Sequence, residues 1–233
     1  MAFQWYNHTY EPIFDFRPYK EGVNINEAMR LPEGAQSDTY VTYYTMKNNT
    51  TGETKKVSSE EYMTQKIWED TTFVITETSE PVLLKKGYTP PIHDFALLTL
   101  YNPATGNLHG TDITQEALQS EKPVIFIVSY DIQKADFLKL QKAADFMHLA
   151  QQSGAMVYFL TGSGAEVAAD ICAALPLNAD ITFCTTDPTQ LKTLMRANPG
   201  AVLLYKGTII KKWSEAALPS PADFQTYIQN LTK

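Results

Sequence analysis

The chain has 233 residues, 44% of them hydrophobic and 12% aromatic, the make-up of a packed globular protein and not of a disordered one. A net charge of −7, with the parts on either side of His93 both acidic, argues against a nucleic-acid partner or a general attraction to anionic lipid. The only cysteines, Cys172 and Cys184, are too few for a disulfide scaffold, and they share no metal-ligand spacing with His8, His93, His109 or His148.

The N-terminus, Met1 to Tyr6, carries neither the basic nor the apolar region of a signal peptide and opens abruptly on aromatic residues. No stretch approaches the roughly 20 apolar residues needed to span a bilayer. Residues 1–90 read as a small β-rich unit. Tyr40 to Met46 is a β-branched and aromatic run of strand character, and Asn48 to Gly52 supplies a turn, after which Glu53 to Val57 returns as a partner strand. A short acidic helix is expected from Ser58 or Ser59, with serine as its cap. Thr72 to Thr76 and Val82 to Leu84 add further strands. The prolines of Lys85 to Pro91 then mark a boundary.

From Pro91 the pattern alternates strand and helix, which defines an α/β class for residues 91–233. Phe95 to Leu100 is the first strand. Val124 to Val128 is continuously apolar, as a central strand buried on both faces would be. Phe137, Leu140, Ala144, Met147 and Ala150 recur at helical spacing between Lys134 and Gln152, and Gly154 stops the helix. A strand at Met156 to Leu160, a helix near Gly164 to Leu175 and a strand at Ile181 to Cys184 follow. Asp187 and Pro188 open another helix as cap and first residue. Ala201 to Tyr205 and Thr208 to Trp213 form a hairpin around Lys206-Gly207, and a last helix runs from Ser220 to Asn230.

This order resembles the thioredoxin fold in its TlpA/peroxiredoxin-like form, a three-layer sandwich with an extra strand and helix before the final hairpin. Pro91-Ile92-His93-Asp94-Phe95 is similar to that family's opening, and Asn198-Pro199-Gly200-Ala201 resembles its cis-proline segment. The resemblance implies a cis Asn198–Pro199 bond. A second resemblance covers almost the whole chain. Phe14 to Lys20, Lys85 to Phe95 and Phe183 to Asp187 look like the C-terminal soluble region of bacterial DoxX-family membrane proteins. It implies a membrane-spanning region ahead of this segment, aromatic residues Phe3, Trp5 and Tyr6 at the bilayer interface, and a periplasmic location. If Met1 is the native start, the alternative is a free-standing cytoplasmic binding protein.

Redox-active thioredoxins carry Cys-x-x-Cys after the central strand, at a helix N-terminus that stabilises the thiolate. Here that place reads Ser129-Tyr130-Asp131-Ile132-Gln133-Lys134, so dithiol exchange is excluded there. The expected role is non-catalytic, with Tyr130, Asp131, Asn198 and Pro199 forming a binding edge for a protein or peptide and with no cofactor or metal. Asp131 is expected to cap the helix that follows, and its pairing with Ser129 or Tyr130 as nucleophile has no support from spacing. Cys184, near the C-terminal end of a strand, is the weak catalytic candidate for an alternative single-cysteine redox enzyme. The favoured reading of Cys184 is a buried small hydrophobe, with a bridge to Cys172 the lesser alternative. Gly162-Ser163-Gly164 reads as a tight turn with serine as cap, against a phosphate cradle.

Overall fold

The computed structural model describes residues 15–175, 177 and 180–231. Phe3, Trp5 and Tyr6, which carry the interfacial expectation, lie outside the described residues. In chain order the helix α1 (Ile25–Met29) is followed by β1 (Thr39–Val41), β2 (Tyr43–Asn48), β3 (Thr54–Ser58), α2 (Ser59–Thr64), β4 (Phe73–Thr78) and β5 (Val82–Lys85). Then come β6 (Leu98–Asn102), β7 (Gly106–Asn107), α3 (Thr114–Leu118), β8 (Val124–Ser129), α4 (Phe137–Gln152), β9 (Met156–Thr161) and α5 (Ala165–Ala174). The chain closes with β10 (Thr182–Thr185), α6 (Pro188–Leu194), β11 (Gly200–Tyr205), β12 (Thr208–Ser214) and α7 (Pro221–Leu231). Among the described residues, 31–89 form one compact unit, and 15–30 with those from 90 to 231 form another. Residues 15–30 belong with the larger unit.

The small unit holds two sheets, β1 with β5 and β3-β2-β4. The single strand expected from Tyr40 to Met46 is therefore two strands in different sheets. The break falls at Thr42, whose carbonyl accepts a hydrogen bond from the Ser59 amide at the head of α2. That helix has the serine cap its sequence indicates: Ser58 accepts from the Glu61 amide, and the Glu61 carboxylate accepts from the Ser58 amide in return.

The larger unit is a seven-stranded sheet ordered β12-β11-β8-β9-β10-β6-β7. Strands β8, β9 and β10 run parallel, and β11 and β6 flank them antiparallel. Every residue of β8 is buried. Ile125 and Ile127 face α4, α5 and α7, whereas Val124, Phe126 and Val128 face α1, α3 and α6. The strict alternation of a pleated strand thus feeds two separate cores and makes the three layers. A central strand followed by a long helix, two parallel neighbours on one side and a proline-led antiparallel hairpin on the other is the thioredoxin-like arrangement, with β10 and α6 as the expected insertion. Lys206 and Gly207 both take positive φ in the hairpin turn, which matches the twist of the strands they join.

Residues 15–30 are fastened to the edge strand β12. The Lys212 side chain is 2% exposed, and its ammonium donates to Asp15 Oδ2 at 3.0 Å and to the Tyr19 carbonyl at 3.1 Å. Gly22 N–H donates to the Ile209 carbonyl and Ile209 N–H to the Val23 carbonyl, extending the sheet edge. Tyr19 packs its ring against Phe95 at 5.7 Å and donates its hydroxyl to Gln190 Oε1 at 2.7 Å. Burial works against ionised Asp15, but hydrogen bonds from Arg17 and the charge of Lys212 outweigh it and hold the carboxyl at about 2, against an ordinary 3.8. Ionised Asp15 therefore stabilises the fold at any pH above its ordinary range, and that contribution fades as pH falls from about 4 to about 2. In urea titrations Lys212→Ala is expected to cost about 3 kcal/mol, because it removes one partner of a buried pair. Asp15→Asn is expected to be less stable than the parent at neutral pH, with the gap closing across that acid window.

Candidate functional site

At the C-terminal end of β8 the chain leaves the sheet through Tyr130 and Asp131. Ser129, the last strand residue, is fully buried and in register with Thr161 of β9. Its hydroxyl donates to Asn198 Oδ1 at 2.8 Å. The Asn198 amide nitrogen donates in turn to the Asp131 carbonyl at 2.8 Å. One asparagine thus ties the loop after β8 to the loop before β11. The Asn198–Pro199 peptide is cis, as the family resemblance implies. Tyr130, Asp131, Asn198 and Pro199 come together at this edge, the first three partly exposed and Pro199 buried.

Asp131 does not cap the long helix. Its side chain accepts from the Lys134 amide and closes a short 3-10 turn over Ile132–Lys134, while Asp136 caps α4 by accepting from the Leu138 and Lys139 amides. The sequence holds two aspartates at workable spacing, and the turn between them inserts one extra step before the helix. A hydrogen bond from Lys134, the carboxylate's 2.6 Å partner, holds Asp131 below the usual carboxylate range. Ser163 also departs from expectation. It is not the cap of α5, whose N-terminal neighbour Gly164 has no side chain to offer; instead its hydroxyl accepts from the Ile132 amide at 3.1 Å. The Gly162-Ser163-Gly164 turn thereby braces the loop after β8. A Cβ at Gly162 would stand 2.5 Å from Pro188 Cγ and 3.0 Å from the Tyr130 carbonyl oxygen, so glycine lets α6 and this loop approach.

The first turn of α4, which follows this loop, exposes two apolar side chains. Phe137 is 49% exposed and Leu138 67% exposed on the first turn of α4. The helical spacing assigns Phe137 to the core stripe, but the stripe begins one turn later at Leu140, once the helix lies over the sheet. Lys192 of α6 places its ammonium 5.5 Å from the centre of the Tyr130 ring. Phe137, Leu138, Ser163 and Lys192 are the members of this edge that sequence reasoning missed. The adjacent apolar pair right after a capping aspartate was the one legible signal.

A nucleophile is not assembled here. Ser129 is sealed from solvent and committed to Asn198, and no hydrogen bond joins His93 to Ser129, Tyr130 or Asp131 among the described residues. Cys184 lies on β10 inside the core on the α3 and α6 side, fully buried. Burial, reinforced by the charge of Glu116, pushes its thiol up to about 12, so it is protonated at neutral pH. Burial likewise pushes Cys172 up to about 12, and the two thiols are free and not bridged. Among the described residues no group of three or more histidine, cysteine, aspartate or glutamate side chains is placed to hold a metal ion, and no helix is long and apolar enough to cross a membrane.

A scan against protein-family models finds no match to the chain, and a search of curated proteins finds none either. Among solved structures, the chain is similar to a SCO1/SenC family lipoprotein from Bacillus anthracis at 10% identity and a TM-score of 0.43, covering 60% of this chain and 95% of that one. It is similar to a thioredoxin-like protein from Aeropyrum pernix at 11% identity and a TM-score of 0.43, over 59% and 89% of the two chains. A secreted Mycobacterium tuberculosis disulfide oxidoreductase homologous to E. coli DsbE is similar at 12% identity and a TM-score of 0.41, over 59% and 96%.

Asn198→Ala is expected to leave the Ser129 hydroxyl buried without a partner and to cost about 2 kcal/mol of stability. A cycle with Ser129→Ala checks this, with an expected coupling of about 1 kcal/mol between the two sites in denaturant titrations. Iodoacetamide labelling followed by mass spectrometry is expected to modify half-buried Cys172 first. Cys184 is expected to react at a comparable rate only after denaturation; fast native labelling of Cys184 would show a reactive thiol.

Proposed function

We propose that this protein is a thioredoxin-like domain that binds a partner without thiol chemistry, a regulatory or docking appendage of a DoxX-type membrane protein. The observation that supports it most is the state of the edge after β8. Where a dithiol would stand, Ser129 and Asn198 lock two loops together by hydrogen bonds, and exposed Phe137 and Leu138 flank them. A rigid, apolar-rimmed edge suits recognition of a protein or peptide, since it loses little conformational freedom on binding. The link to DoxX-type proteins, and with it a place on the periplasmic face of the inner membrane, rests on the sequence resemblance of Phe14 to Lys20, Lys85 to Phe95 and Phe183 to Asp187.

Two measurements test this reading. In an insulin-reduction assay with dithiothreitol the protein is expected to give no acceleration, and Cys184→Ser is expected to leave that result unchanged. In native cells an antibody to this chain is expected to find its antigen in the membrane fraction, open to protease added to spheroplasts. Disulfide turnover that depends on Cys184, or an antigen confined to the soluble cytoplasm, would overturn the proposal.

A further inference from the structure

The smaller unit is thinly cored. Among residues 31–89 only Val41, Met46 and Ile67 are buried apolar side chains, and none of these residues joins either core cluster of the protein. A unit of that size has little buried surface to hold it, and natural ones add a staple or a second chain. A run of exposed apolar side chains lies on the ribbon of β1 and β5. Val82 is 49% exposed, Leu83 46% and Leu84 61%, and Tyr40, the register partner of Leu83 on β1, is 57% exposed.

The ribbon is also an open sheet. Among the described residues β1 and β5 pair only with each other, so the outer edge of β5 has no neighbouring strand. Two strands alone make a marginal sheet, and further strands strengthen it. The register with β1 slips by one residue at Leu84, which leaves that residue unpaired on the inner side. In the other sheet of this unit the outer strand β3 carries Lys55 and Lys56, a usual defence of an edge. β5 distributes its charges differently. The order is Glu80-Pro81-Val82-Leu83-Leu84-Lys85-Lys86, an acid before the apolar run and two bases after it. Pro81 precedes the strand, so its missing N–H takes nothing from a ladder. Glu80 and Lys86 are exposed, and neither forms an ion pair among the described residues.

We propose that the outer edge of β5 pairs with β5 of a second copy of this chain, antiparallel about a twofold axis. The charge order is what selects this occupant. An antiparallel copy brings its basic end beside the acidic end of the first, whereas a parallel copy would set like charges together. The register that puts Leu83 on the axis sets Val82 opposite the second copy's Leu84 and Glu80 opposite its Lys86. Twofold symmetry repeats both pairs on the other side of the axis. The product is a four-stranded sheet in the order β1-β5-β5-β1, with Tyr40 and Leu83 of each copy in one apolar row across it. Pairing uses up the edge, so assembly closes at two copies. This inference is independent of the role proposed for the loop after β8, and either can fail alone.

Sedimentation equilibrium of the full chain tests it. A dimer is expected, with a dissociation constant on the order of 10–100 µM, as suits a short strand pair. Lys86→Glu and Glu80→Lys each set like charges opposite one another at both symmetric positions, and each is expected to weaken the dimer about tenfold. Both side chains are exposed, so the melting temperature of each variant at low concentration is expected to match the parent. An equimolar mixture of the two variants restores opposite charges at both positions and is expected to dimerise as tightly as the parent. A parent that stays monomeric at about 300 µM would overturn the assignment. So would a dimer indifferent to both substitutions, or a mixture that associates no more tightly than its components.

Discussion

The whole of the larger unit depends on β8 being buried on both faces. A strand in that position has no solvent side, so all of its side chains must be matched by helices above and below. Ile125 and Ile127 call for α4, α5 and α7; Val124, Phe126 and Val128 call for α1, α3 and α6. Because the strand cannot shift by one residue without exchanging its two cores, the register with β9 and β11 is fixed, and with it the place where Ser129 leaves the sheet. The geometry of the edge after β8 is set by this constraint and not by the loop itself.

Parts of this were legible in the amino-acid order. The continuous run Val124 to Val128, the buried positions Leu140, Ala144, Met147 and Ala150 of the long helix, the Asp187-Pro188 start and the Lys206-Gly207 turn each have a local cause strong enough to act alone, and each appears where the pattern puts it. Other parts depend on partners distant in sequence. Tyr40 to Met46 looks uniform, but its two halves pair with β5 and with β3 and β4, and only those pairings reveal the break at Thr42. The short helices α1 and α3 carry too few turns to leave a periodicity, and they are held by tertiary packing of Ile25 and Leu118. Likewise, nothing local tells that residues 15–30 fasten to β12, since the pair of Asp15 and Lys212 spans nearly the whole chain.

The candidate site divides in the same way. The absence of Cys-x-x-Cys is a fact of sequence, and the cis bond between Asn198 and Pro199 is what the family resemblance implies. That Asn198 reaches both Ser129 and the Asp131 carbonyl is a matter of distance, and so is the use of Ser163 to hold Ile132. Cys184 shows the limit most clearly. Its position near a strand end is what a reactive thiol would need, yet strand parity turns the side chain into the core, where a protonated thiol belongs to the same apolar cluster as Leu160 and Phe95.

The Ser129–Asn198–Asp131 arrangement has a bearing on engineering. Placing cysteines into this loop would not by itself make an oxidoreductase. A thiol at position 129 would be sealed beneath the strand and would meet the Asn198 amide where an attacking sulfur needs open access. The extra 3-10 turn would also keep a thiol in this loop from the positive end of α4 that lowers its proton affinity. Introducing the chemistry therefore requires dismantling a hydrogen-bonded lock and resetting a helix start together, neither of which is useful without the other.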